Sequence, residues 1–150
     1  MEKLKILVAE DDKTTQKLYD YFLVDEIFDR RIARNGEEAL EIFRTWQPEV
    51  IILDIMLPVI SGYTVLQQIR EDLQNKKIPI IISSMLSSKD DIISCAKFGI
   101  QGYFPKPIIW REIGFRVLEC FQKAYPQMAD RVTELREQLK VKIESMGTKK

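Results

Sequence analysis

Short apolar runs alternate along the chain with longer stretches in which apolar residues recur every three or four positions. The short runs are Leu4–Ala9, Arg31-Ile32-Ala33, Val50–Leu53, Ile78–Ile82 and Tyr103-Phe104. The third and fourth are almost continuously β-branched residues or leucine, the pattern of strands buried on both faces of a parallel sheet. Between the runs, Leu18, Tyr19, Phe22 and Leu23 share one face of a first helix. Gly36 precedes a second helix through Glu37–Phe43 that ends before Pro48. Tyr63–Ile69 predicts a third, Asp90–Phe98 a fourth closed by Gly99, and Trp110–Ala124 a fifth. Five βα repeats predict an α/β domain, a doubly wound parallel sheet with helices on both faces.

Beyond Tyr125 the pattern changes. Pro126 is poorly tolerated inside a helix and marks a boundary, which divides the chain into a sheet domain over 1–125 and a C-terminal helical extension over 126–150. In the extension, Val132, Leu135 and Leu139 follow the 3-4 spacing of a coiled-coil seam, and Met128 extends it backwards. Ile143 and Met146 shift the register, as in an ordinary amphipathic helix. A helix of this length is marginal in water without burial, so its stripe needs a cover. The expected cover is a second copy, a homodimer through residues 128–146. The alternative is a helix folded back on its own domain. The final Gly147-Thr-Lys-Lys reads as a frayed tail.

Composition narrows the classes. The chain has 150 residues, 45% of them hydrophobic and 31% charged, enough for a buried core and a soluble surface. Lys+Arg and Asp+Glu are 23 each, so the formal net charge is +0 and direct nucleic-acid binding is not expected. No run approaches the roughly 18 apolar residues of a membrane span. The first residues lack a signal-peptide pattern, so the expected location is cytoplasmic. Cys95 and Cys120 read as buried small hydrophobes. There is no histidine, which removes Cys/His zinc sites, histidine acid-base catalysis and any phosphohistidine carried by this chain.

Sheets of this kind bind ligands at the carboxyl ends of their strands. There the sequence places Glu10, Asp11 and Asp12 after the first strand, Asp54 after the third, Ser83-Ser84 after the fourth and Lys106-Pro107 after the fifth. Taken singly, each has a plain explanation: acids favour helix N-termini, aspartate forms turns, serine and lysine are ordinary surface residues. Their joint placement after separate strands argues for a site. Three carboxylates brought together repel unless a cation neutralises them, and Mg²⁺ suits a site of few carboxylates.

Four blocks carry a resemblance. They are Lys5-Ile6-Leu7-Val8-Ala9-Glu10-Asp11-Asp12, then Asp54-Ile55-Met56-Leu57-Pro58 with Ser61-Gly62, then Pro79–Ser84, and last Gly102-Tyr103-Phe104-Pro105-Lys106-Pro107. Over about residues 3 to 124, in this order, the chain resembles the receiver domain of two-component response regulators, the CheY-like superfamily. The resemblance implies a flavodoxin-like sheet of order 2-1-3-4-5 with five helices. It implies that Asp54 accepts a phosphoryl group from a sensor histidine kinase or a histidine phosphotransfer protein. Glu10, Asp11, Asp54 and the Met56 backbone carbonyl would hold Mg²⁺. Lys106 would pair with Asp54 and then with the phosphoryl group, which the Ser84 hydroxyl would also bond. Tyr103 would change rotamer, and the Lys106–Pro107 bond would be cis. Such a domain is a phosphoacceptor rather than an enzyme, and it switches its α4-β5-α5 surface to control a partner.

Several positions depart from the family's pattern. Val59 stands where many members have glycine, Ser83 where an apolar residue is common, Met85 where a small one is usual, and Pro105 precedes Lys106. A flavodoxin-like cofactor binder would place glycines and hydroxyls, not three acids, after its first strand. A phosphatase with an aspartate nucleophile would want an acid at Met56. A receiver that is never phosphorylated and works only by dimerisation or partner binding is the remaining alternative.

Overall fold

A computed structural model describes residues 2–72, 77–85 and 89–147. Its strands are β1 (Leu4–Ala9), β2 (Phe28–Ala33), β3 (Val50–Leu53), β4 (Ile80–Ser84) and β5 (Gly102–Pro105). They form one parallel sheet of order β2-β1-β3-β4-β5, in agreement with the sequence reading. The helices are α1 (Lys13–Phe22), α2 (Gly36–Trp46), α3 (Gly62–Gln67, continued by a π turn over Gln68–Asp72), α4 (Lys89–Ala96), α5 (Ile113–Ala124) and α6 (Ala129–Gly147). Single 3-10 turns, Trp110–Glu112 and Pro126–Met128, precede α5 and α6. The expected frayed tail at 148–150 lies outside the described residues. Among the described residues no helix is long and apolar enough to cross a membrane.

Alternation along β1 builds two cores, one on each face of the sheet. Leu4, Ile6 and Val8 point into the core that Tyr19 of α1 and Ile113, Val117 and Phe121 of α5 complete. Leu7 and Ala9 point into the other, completed by Leu40 of α2, Val65 and Leu66 of α3 and Cys95 of α4. β3 is buried along its whole length because it faces both.

Three differences from the sequence reading have physical causes. β2 starts at Phe28, earlier than Arg31, because an edge strand buries one face only and its Asp29 and Arg31 face solvent. β4 is shifted to include Ser83 and Ser84, which pair with Phe104 and Pro105 of β5. Pro79 has no N–H to donate, and the Ile78 carbonyl is taken by the buried Arg70 guanidinium at 2.8 Å.

The third difference is a correction. The stripe read as a dimer seam is covered by the chain's own domain. Val132, Leu135, Leu139 and Ile143 are buried in the core shared by β1, α1 and α5. The displaced Ile143 marks an ordinary helix laid on a globular face, where 3.6 residues per turn is the natural period. A homodimer through residues 128–146 would have to break this packing.

Candidate functional site

The carboxyl ends of β1, β3 and β5 lie along one edge of the sheet, β1 next to β3 through the Ala9–Leu53 pair and β5 one strand beyond, across β4. Each delivers one charged side chain. Glu10 leaves β1 almost fully buried, and its chain is held by Gln16 of α1, whose Nε2 donates to the Glu10 carbonyl at 2.7 Å. Asp12 is occupied elsewhere. It caps α1 by accepting from the Thr15 N–H at 2.9 Å and the Thr15 hydroxyl at 2.7 Å. Those bonds hold its carboxyl below the usual range. The acids left for the site are therefore Glu10 and Asp11, the register expected from the sequence.

Asp54 is 5% exposed and sits directly after β3. Its Oδ1 accepts from the Met56 N–H at 3.0 Å. The loop that follows folds tightly back: the Gly62 N–H donates to the Ile55 carbonyl at 2.8 Å, and Ser61 caps α3. A Cβ at Gly62 would stand 1.9 Å from the Asp54 carbonyl oxygen, so only glycine allows α3 to start this close to the acid. Val59, in the same loop, has φ +69°, a left-handed conformation that strains a β-branched residue. The departure from glycine noted in the sequence is thus accommodated by backbone strain.

Lys106 joins the strands. Its ammonium donates to Glu10 Oε1 at 2.8 Å and to Asp54 Oδ2 at 2.9 Å. Burial alone would lower the Lys106 pKa, but the bonds to Asp54 and Glu10 outweigh it and hold it above the ordinary lysine value. Burial is also the main reason the Glu10 carboxyl is raised; the Lys106 bond pulls it back and the Asp54 charge pushes it further up. The Lys106–Pro107 bond is cis.

Oxygens of Glu10, Asp11 and Asp54 all lie within 4.8 Å of one another. Three carboxylates face one bonded ammonium, so the cluster keeps a surplus of negative charge. All the donors are hard oxygens, and Asp11 is exposed, which leaves room for water around an ion. This donor set fits Mg²⁺.

Ser84 and Tyr103 lie beside the acids on the β4–β5 side. Ser84 is 1% exposed, and the Tyr103 hydroxyl donates to its backbone carbonyl at 3.3 Å. Ile55, Ile82, Asp91 and Cys95 line a small cavity together with the half-buried Tyr103. Residues 86–88, through which a movement of Ser84 would pass, lie outside the described residues. Met56, Val59 and Met85 are exposed. Sequence reasoning missed Gln16, whose signal was only an amide one turn into the helix that follows the acids.

The comparisons with known proteins agree with this geometry. Residues 6–117 match the response regulator receiver domain family. The chain is 34% identical to the probable transcriptional regulator ycf27 of Porphyridium aerugineum over 82% of this chain and 50% of that protein. It is 34% identical to the alkaline phosphatase synthesis transcriptional regulatory protein PhoP of Bacillus subtilis, over 80% of this chain and 49% of that one. The chain thus spans about half the length of the curated relatives it matches. Among solved structures, the receiver domain of the Francisella response regulator 1452 superimposes with a TM-score of 0.71 at 34% identity, covering 81% of this chain and 98% of that one. Fold, site and similarity converge: the chain belongs to the response regulator receiver domain family.

Proposed function

We propose that Asp54 accepts a phosphoryl group from a phosphohistidine on a separate protein, a sensor histidine kinase or a histidine phosphotransfer protein. No residue of this chain can be the phosphohistidine, because it has no histidine. An Asp54 carboxylate oxygen attacks phosphorus, the P–N bond to the donor imidazole breaks, and an acyl phosphate forms. Hydrolysis returns the free carboxylate and inorganic phosphate when water attacks the same phosphorus.

The observation that carries this reading is the Lys106 ammonium held between two buried carboxylates. Anionic Asp54 is a poor nucleophile toward an anionic phosphoryl group, and Lys106 offsets that repulsion and stabilises charge on the equatorial oxygens. Glu10, Asp11, Asp54 and the Met56 carbonyl would hold Mg²⁺, which when bound neutralises the surplus charge and polarises the phosphoryl oxygens. The product brings about two negative charges where one stood. Lys106 and the Ser84 hydroxyl would follow them, and Tyr103 would adjust behind Ser84. These shifts would alter the surface formed by α4, β5 and α5, through which a partner would be controlled.

The test is labelling by acetyl phosphate or a phosphorylated kinase in Mg²⁺. Asp54→Asn is expected to abolish it and EDTA to suppress it. Stoichiometric labelling of the Asp54→Asn variant would overturn the assignment. An unlabelled wild-type chain would favour a receiver that acts by contact alone.

A further inference from the structure

Helix α6 is tied down at both ends, and the two ties lead to different places. Near its start, the Arg131 guanidinium donates to both oxygens of Glu49, at 2.7 and 3.1 Å, and to the Lys3 carbonyl at 2.9 Å. Glu49 and Lys3 precede β3 and β1, at the amino ends of the strands and away from Asp54. Near its finish, Arg111 Nη2 donates to the Ile143 carbonyl at 3.0 Å. Midway, α5 and α6 are in close contact at Gly114, where a Cβ would stand 2.8 Å from Leu139 Cδ2.

Arg111 follows Lys106 through Pro107, Ile108, Ile109 and Trp110. Trp110 in turn meets α1, edge-on to Tyr19 with ring centroids 4.9 Å apart and stacked on Phe22 at 6.1 Å. Helix α1 begins directly after Glu10 and Asp11, with Asp12 as its cap. The elements that follow the two charged loops of the site, α1 and the turn at Trp110, therefore meet at the Tyr19–Phe22–Trp110 cluster. Ile143 and Met146 of α6 pack into the same apolar core as that cluster. Tyr19 also lies within electrostatic reach of the site. Burial pushes its phenol well up, and the negative charges of Glu10 and Asp54 add to the effect.

We propose that docking of the second half of α6, residues 139–146, is coupled to occupancy of Asp54 through the 106–111 segment. Phosphorylation loosens that half while the Arg131–Glu49 clamp keeps the first half in place. The proposal rests on Asp54 being the phosphoacceptor. When phosphoryl oxygens draw the Lys106 ammonium away from Glu10, the segment from Pro107 to Arg111 is displaced with it. The Arg111–Ile143 bond and the packing around Trp110 are the first contacts to feel that displacement. Coupling of this kind is reciprocal, so a looser α6 favours the occupied site by the same factor.

The test is amide hydrogen exchange on the full chain in Mg²⁺, with and without beryllofluoride, a phosphoryl mimic whose binding is followed separately by fluorine NMR. Amides of residues 139–146 are expected to exchange roughly fivefold faster or more in the occupied state, with 129–135 unchanged. In Arg111→Ala the same amides are expected to exchange fast in both states while the mimic still binds. A bound mimic with exchange at 139–146 unchanged or slowed overturns the coupling, as does a full mimic-dependent change in Arg111→Ala. Failure of the mimic to bind overturns the phosphoacceptor reading, and the coupling with it.

Discussion

Lys106 and Arg131 each tie together parts of the chain that are distant in sequence, and they differ in the balance of charge around them. The Arg131 guanidinium grips Glu49 with two parallel bonds, nearly one charge for one. The Lys106 ammonium is bonded to Glu10 and Asp54, with Asp11 in the same 4.8 Å cluster, so one cation faces three anions. The balanced pair serves as a clamp and asks for nothing further. The unbalanced cluster keeps a negative surplus that fits a cation. The contrast teaches that surplus charge in a buried setting identifies a functional site better than the presence of an ion pair does.

The largest effect is expected in the balanced region. Leu139→Ala empties a fully buried position against α5 and should cost about 2–4 kcal/mol of stability, read by urea denaturation. A loss well under 1 kcal/mol would mean that α6 is not part of the folding unit. Arg131→Met comes next. Among the described residues it leaves Glu49 with only the Lys5 backbone N–H as a donor, at 3.0 Å, and should cost about 1–2 kcal/mol at pH 7 after allowance for partial exposure. Burial alone would raise the Glu49 carboxyl, but the Arg131 and Lys5 bonds outweigh it and hold the pKa below its ordinary 4.5. A depressed acid stabilises the fold above its unfolded pKa and loses that contribution as pH falls through its folded pKa. The gap between wild type and Arg131→Met should therefore narrow steadily as pH falls below 4.5, and a gap that does not change with pH would show that the loss was packing and not charge.

The smallest effect should have the opposite sign. Asp11→Asn removes one of the surplus charges. In EDTA it should raise Tm by roughly 2–4 °C, and it should also abolish the stabilisation that Mg²⁺ gives the wild type. Calorimetry in EDTA and in Mg²⁺ reads both. A lower Tm for Asp11→Asn in EDTA would erase the distinction between the two regions.

The site was largely legible because its residues sit at strand ends, and strand ends are where unbroken β-branched runs stop. Asp54 after Val50–Leu53 is the clearest case. The α6 interface was not legible. Its stripe of Val132, Leu135 and Leu139 is equally suited to a second copy or to a folded-back position. What decides is the bare surface at Gly114 and the reach of Arg131 to Glu49, and neither leaves a local signal. β2 was read short for a related reason: the charges of Asp29 and Arg30 hide the first half of a strand that pairs with β1 from Phe28 onward.

The bonds of Lys106 reach back 96 residues to Glu10 and 52 to Asp54. That distance sets an order of assembly. Once β1 and β3 pair, Glu10 and Asp54 are neighbours, but no ammonium stands between them until β5 has joined the sheet. Each contact this distant in sequence has to repay the entropy of closing a long loop. A half-made sheet therefore carries an acidic edge with no internal counter-charge, and divalent cations in the surrounding solution are the means at hand to quiet it. The same surplus that fits the finished cluster to a divalent cation is present earlier, as a demand the nascent chain places on its ionic surroundings.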